Sequence, residues 1–187
     1  MRPQKVNNEQ LLNGLMSVLR AKGYDGSSLN ELASAAGVKK ASLYHRFPDG
    51  KVQIGTAVLE YADAWVGEHI HDVLVDDMQS PELRLHTVIQ HTSDLYQEGK
   101  KMCILRSMST ESGIELFGEM IRASMDKWIR GFTQLGIDFG LEEADAINQA
   151  RNALIQIQGS LVVSRGLGDN EIFMNTLESI RNSYLGS

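Results

Sequence analysis

The chain has 187 residues, 42% of them hydrophobic and 22% charged, which is enough to bury a core in one or two globular domains. It has no apolar run long enough to span a bilayer. Its start, Met1-Arg2-Pro3-Gln4-Lys5, lacks the apolar centre of a signal peptide, and its single cysteine, Cys103, rules out an internal disulfide. These features point to a cytoplasmic protein without a membrane partner. The net charge of −6 is unevenly spread. Residues 1–51 hold eight Lys/Arg against four acids, a balance of +4, while the remainder carries −10. A small basic module on an acidic body is the pattern of a nucleic-acid binder.

Only three prolines occur, alternating strand patterns are short, and helix dominates. Leu11, Leu12, Leu15, Met16 and Leu19 recur at helical spacing, and Gly23 follows as a stop. Ser28 caps a short second helix bearing Leu29, Leu32 and Ala33. Ala36-Gly37-Val38 interrupts it, and a third helix runs through Leu43 to Phe47 before Pro48-Asp49-Gly50 breaks the chain. A long fourth helix covers about Lys51 to Asp77. Ser80-Pro81-Glu82 starts a fifth, with a capping hydroxyl, a proline at the first position and an acid in the first turn; it ends near Gly99. The pattern predicts two more helices over 102–111 and 113–135, the second stopped at Gly136. An eighth spans Glu142 to Arg165, ahead of Gly166-Leu167-Gly168, and a ninth is capped by Asp169 or Asn170. The expected fold is all-α, with about nine helices. Residues 1–51 form an N-terminal three-helix helix-turn-helix domain, and residues 52–187 form a helical regulatory and dimerisation domain.

The stretch from Leu32 to Leu43 carries the chemistry. A helix-turn-helix needs two helices, a tight turn, and a second helix that fits the major groove. Ala33 is small where the helices approach, Gly37 can adopt the left-handed conformation of the turn, and Val38 and Leu43 anchor the second helix. Lys39, Lys40, Ser42, Tyr44 and His45 are then left to face outward. Lys39 and Lys40 stand at the positive end of that helix, where a cation is disfavoured by about 0.3–1 kcal/mol, and Lys39 has no acceptor with which to cap it. A phosphodiester backbone relieves both conflicts, so the misplaced lysines mark a DNA contact.

These residues resemble the TetR family of one-component transcriptional regulators. The resemblance is strongest over GYDGSSLNELASAAGVKKASLYHRFPDGK, and its specific parts are Leu32-Ala33-x-x-Ala36-Gly37-Val38, Ala41-Ser42-Leu43-Tyr44-His45-x-Phe47, and Lys51. It implies that Tyr44, His45 and Lys51 hold phosphates, that Lys39, Lys40 and Ala41 approach base edges, and that Ser28 is a further phosphate contact. Lys39 stands where the family usually has Ser or Thr. The Pro48-Asp49-Gly50-Lys51 connection is one residue longer than the commonest linker and looks like the subgroup with a Pro-Gly-Gly-Lys connection.

The resemblance also implies a pocket for an apolar or amphipathic inducer, for which the residues are Trp65, Met102, Cys103, Met108, Phe117, Met120 and Trp128. It implies a homodimer through the eighth and ninth helices, for which they are Leu154, Ile157, Leu161, Phe173 and Leu177. The partners are double-stranded operator DNA, a small-molecule inducer and a second copy of the chain; no cofactor is called for. Neither histidine pair suggests a metal site: His69 and His71 are two apart and point to different helix faces, while His86 and His91 miss the four-residue spacing that one helical face would need. No phosphate-cradling glycine loop or nucleophile elbow occurs, so enzymatic activity is not expected. Cys103, after Lys100-Lys101-Met102, opens an alternative in which the repressor is switched by oxidants or electrophiles at its thiol.

Overall fold

The computed structural model describes residues 7–186, and within them the chain is all-α. In chain order the helices are α1 (Asn8–Lys22), α2 (Leu29–Ala35), α3 (Lys40–Arg46), α4 (Lys51–Val66), α5 (Pro81–Leu95), α6 (Ile104–Met108), α7 (Glu111–Asp138), α8 (Glu143–Leu167) and α9 (Glu171–Leu185). The chain leaves α4 through a π turn, Gly67–His71, and a last α turn, Asp72–Leu74. The described chain divides into two compact units: residues up to Ala62 with Ile104–Ile121, and Asp63–Cys103 with Arg122–Ser187.

In the first unit Asn7 caps α1, its side chain accepting from the Glu9 N–H at 3.2 Å. The α1 stripe of Leu11, Leu12, Leu15, Met16 and Leu19 is buried, as its spacing predicts. Gly14 lets the end of α2 touch α1 at backbone distance: a methyl group there would lie 2.3 Å from the Ala35 carbonyl oxygen. The compact unit extends beyond residue 51 because α6 and the start of α7 close it. Ser107 donates to the Arg20 carbonyl at 2.8 Å, and the Ser112 N–H donates to Asp25 at 3.1 Å.

In the second unit the buried faces of α5, α8, α9 and the later turns of α7 supply the core, with Trp128, Phe132, Phe173 and Leu177 at 1% exposure or less. Phe173 meets Tyr96 edge-on at 5.9 Å and fills the space beside Gly99. Arg84, only 3% exposed, donates to the Leu74 carbonyl at 2.8 Å and pairs with Asp138 at 2.8 Å. It thus places a cation at two helix C-termini, where the dipole favours one. Burial pushes the Tyr184 phenol well above its ordinary value, and its hydroxyl donates to the Phe132 carbonyl.

Two expectations are corrected here. First, α7 does not stop at Gly136 but runs to Asp138; that glycine lies against Ala146, so it serves close packing, and the break falls at Gly140, with φ of 92°. Second, α5 ends at Leu95, because Gln97, Glu98 and Gly99 all have positive φ. Leu154, Ile157, Leu161, Phe173 and Leu177, the residues expected at a dimer interface, are all at 8% exposure or less. The apolar residues that α8 leaves exposed are Ile155, Val162, Val163 and Leu167.

Candidate nucleic-acid interface

The interface is assembled within the first unit by three local devices. The first sets the start of α2. Ser28 accepts from the Glu31 N–H at 3.3 Å while Glu31 reaches back to the Ser28 N–H at 3.0 Å, a complete capping box. Lys22 closes on Glu31 as an ion pair. The hydrogen bond from Lys22, then those from the Ser28 side chain and backbone, hold the Glu31 carboxyl down to about 2. The second device is the turn: Gly37 has φ of 65°, and the Val38 N–H returns to the Ala33 carbonyl at 3.0 Å. Ala33, at 3% exposure, is the small contact the motif requires.

The third device is α3 itself. Only Leu43 is buried within it, and Phe47 is the buried residue just beyond its end. Lys39, Lys40, Ala41, Ser42, Tyr44 and His45 are all exposed, as the sequence predicts. Lys39 occupies the cap position with no side-chain cap bond. The segment from Leu32 to Pro48 contains no acid, and among the described residues neither lysine forms an ion pair. Arg46, exposed in the last turn, adds a third such cation. Sequence reasoning counted Arg46 only in the overall charge; its place between His45 and the buried Phe47 was the available signal. An exposed seven-residue helix and its cap, carrying three cations without an ion pair among the described residues and no anion, offer an electrostatic footprint for a polyanion.

Two of the residues expected at phosphates have partners within the chain. The Ser28 hydroxyl is exposed, but it also donates to Glu31 at 2.7 Å, so the capping box uses both its donor and an acceptor position. Lys51 is not a free surface cation. Its ammonium donates to the carbonyls of Tyr24 at 2.8 Å and Ser27 at 3.1 Å, and lies 4.3 Å from the centroid of the Tyr24 ring.

The residues considered for an inducer pocket fall in both units. Met108, Phe117 and Met120 belong to the first, and Trp65, Met102, Cys103 and Trp128 to the second. Phe117 is core: it is 2% exposed, meets Tyr24 edge-on at 5.3 Å, and occupies the space where Gly55 would carry a methyl. Met102, Cys103, Met108 and Trp128 are buried, while Trp65 and Met120 are half-buried. Spacing along one helix could not show that His69 and His91 meet across two. The π turn stacks His69 on Trp65 at 4.5 Å, and His91 donates through Nδ1 to the His69 carbonyl at 2.7 Å. Among the described residues, no group of three or more potential ligands could hold a metal ion, and no helix is long and apolar enough to cross a membrane.

With this geometry in place, comparison with known proteins is direct. Residues 11–57 match the family described as bacterial regulatory proteins, tetR family. The helix-turn-helix transcriptional regulator YxaF of Bacillus subtilis is 24% identical over 164 residues, covering 84% of each chain. A TetR transcriptional regulator from Legionella pneumophila superposes with a TM-score of 0.80 at 18% identity, over 98% of this chain and 99% of that one. A cysteine mutant of the TetR-family regulator CifR, solved with 26 bp double-strand operator DNA, superposes with a TM-score of 0.73 at 20% identity, over 97% of this chain and 98% of that one. These likenesses extend the shared fold well beyond the matched N-terminal segment.

Proposed function

We propose that this chain, a helix-turn-helix transcriptional regulator of the tetR family, is a repressor that holds a palindromic duplex operator as a dimer and releases it when a small apolar or amphipathic molecule binds. The observation that carries the reading is the outward row on α3: Lys39, Lys40, Ala41, Ser42, Tyr44, His45 and Arg46 exposed around a single buried anchor, Leu43. Lys39, Lys40 and Ala41 lie toward base edges, and Tyr44 and His45 toward phosphates, which position the helix without specifying sequence. That CifR was solved on operator DNA lends support by analogy of fold. Residues 1–51 serve as the reading domain and 52–187 as the regulatory one.

Two reading heads must lie about 34–36 Å apart, or modestly further, to enter successive major grooves. The dimer contact that suits the surface is the exposed apolar row Ile155, Val162 and Val163 on α8, with Gly159 between them allowing close approach. An isologous contact of this kind presents the same patch on both copies. A ligand can shift the DNA-bound population only by binding the released state more tightly. By linkage, DNA then weakens ligand binding by the same factor. The thiol-switched alternative finds less support: Cys103 is 3% exposed, and oxidant sensing favours an accessible thiol.

The test is a gel shift with the DNA upstream of the protein's own gene, against an excess of unrelated duplex. A retarded band that survives the competitor, and dissolves on adding an apolar ligand, supports the reading. Equal competition by unrelated duplex contradicts sequence-specific binding.

A further inference from the structure

We infer that Lys51 is a positioning residue, which bolts the start of α4 to the α1–α2 turn and thereby sets the angle of α3, and that it carries no phosphate contact. The inference rests on the DNA reading above and assigns Lys51 a different part within it.

The ammonium has three N–H donors. Two carbonyls, those of Tyr24 and Ser27, take two of them at 2.8 and 3.1 Å, and the remaining face of the cation lies 4.3 Å from the centroid of the Tyr24 ring. Asp25, next to Tyr24 in sequence, is engaged elsewhere by the Ser112 N–H at 3.1 Å. To reach a phosphate, Lys51 would have to give up all three contacts and leave the Ser27 carbonyl without this donor.

The surroundings of the bolt explain its purpose. Tyr24 meets Phe117 of α7 edge-on at 5.3 Å, and Phe117 lies so close over Gly55 that a methyl there would come within 2.5 Å of its ring. Lys51 and Gly55 are one turn apart on the same face of α4. The first turns of α4 are therefore fastened to the α1–α2 turn twice, by the ammonium and through the aromatic pair. Helix α3 is joined to α4 only through Phe47-Pro48-Asp49-Gly50 and buries only Leu43 along its own length. Where α4 begins therefore fixes the C-terminal end of α3. Removing the ammonium should loosen that end while leaving the number of cations on the duplex unchanged.

The experiment is the salt dependence of affinity for a 30-base-pair mixed-sequence duplex, measured for wild type, Lys51→Met and Lys51→Arg. Each lost phosphate contact lowers the slope of log K against log salt by about one unit. Lys51→Met should keep the wild-type slope and lose affinity by one factor at every salt concentration, and Lys51→Arg should recover part of it. A slope lowered by about one in Lys51→Met would overturn the inference. Nuclear magnetic resonance of the wild-type protein labelled at lysine nitrogen decides the same point even if Lys51→Met does not fold. In the free protein the Lys51 ammonium should show hydrogen-bond couplings to the Tyr24 and Ser27 carbonyl carbons, and these should persist on the duplex. Their absence from the free protein, or a coupling to phosphorus in the complex, would overturn it. If wild type fails to bind any duplex, the DNA reading falls, while the free-protein couplings still decide whether the bolt exists.

Discussion

Helices α3 and α9 are built from opposite uses of the same periodicity. In α3 one of seven residues is buried, and among the described residues the cations around it form no ion pair. In α9 Phe173, Leu177, Ile180 and Tyr184 form a complete stripe at 5% exposure or less, and its polar residues face solvent. The second pattern is what a helix needs to be held in place. The first holds the helix by the least that will keep it folded, and leaves the rest of its surface for something outside the chain. Lys39 and Lys40, two cations at the helix N-terminus, would be a cost on a helix whose only task was packing. The contrast therefore separates recognition from support within one chain, using burial and charge alone.

The contrast is broken if the supporting helix proves dispensable. Phe173→Ala empties a fully buried aromatic site and should destabilise the fold by about 3–5 kcal/mol, measured by urea unfolding. A loss below about 1 kcal/mol would mean that the α9 stripe is not the core it resembles. A second test concerns the residues of α8 that its own chain leaves uncovered. Val162→Asp should leave the subunit folded, lower the unfolding midpoint only by the dimerisation it removes, in a concentration-dependent way, and shift sedimentation from dimer toward monomer. Leu161→Asp, in contrast, should unfold the subunit. If both variants remained dimeric and stable, the dimer contact would lie elsewhere.

The smallest effect sharpens the account of the α2 start. Hydrogen bonds from Lys22 and Ser28 hold Glu31 at about 2 in the folded chain. A depressed carboxyl contributes stability above its unfolded value, near 4.5, and loses it as pH falls toward 2. The stability difference between wild type and Glu31→Gln should therefore be constant above pH 5 and shrink progressively between about 4.5 and 2. A difference independent of pH over that window would show that the carboxylate form is not what the capping box uses.

What the sequence made legible was what depends on neighbours in sequence. The Ser28 cap, the left-handed Gly37, the Pro81 start of α5 and the anchor Leu43 each follow from residues within a few positions of one another, and each appears in the structure. The outward-facing row of α3 was legible for the same reason. What was not legible depends on distant partners. Lys51 finds its carbonyls 24 and 27 residues away, and nothing in its own surroundings announces them. Gly136 reads as a stop because a glycine can end a helix or admit a neighbour, and only Ala146 decides which. The apolar stripe of α8 is plain in sequence, but periodicity cannot say whether the chain itself or a second copy covers it. The π turn at Gly67–His71 has no local signature that we can identify.

The central claim, that the unpaired cations of α3 exist to hold a duplex, is tested most directly by replacing Lys39 and Lys40 together with alanine and measuring affinity for duplexes of different sequence across a salt series, with urea unfolding alongside. The account predicts weaker duplex affinity at every salt concentration and relaxed discrimination between sequences, because these side chains lie toward base edges, with stability unchanged or slightly improved as the helix N-terminus loses two unfavourable charges. Unchanged affinity and discrimination in a folded double variant would contradict it.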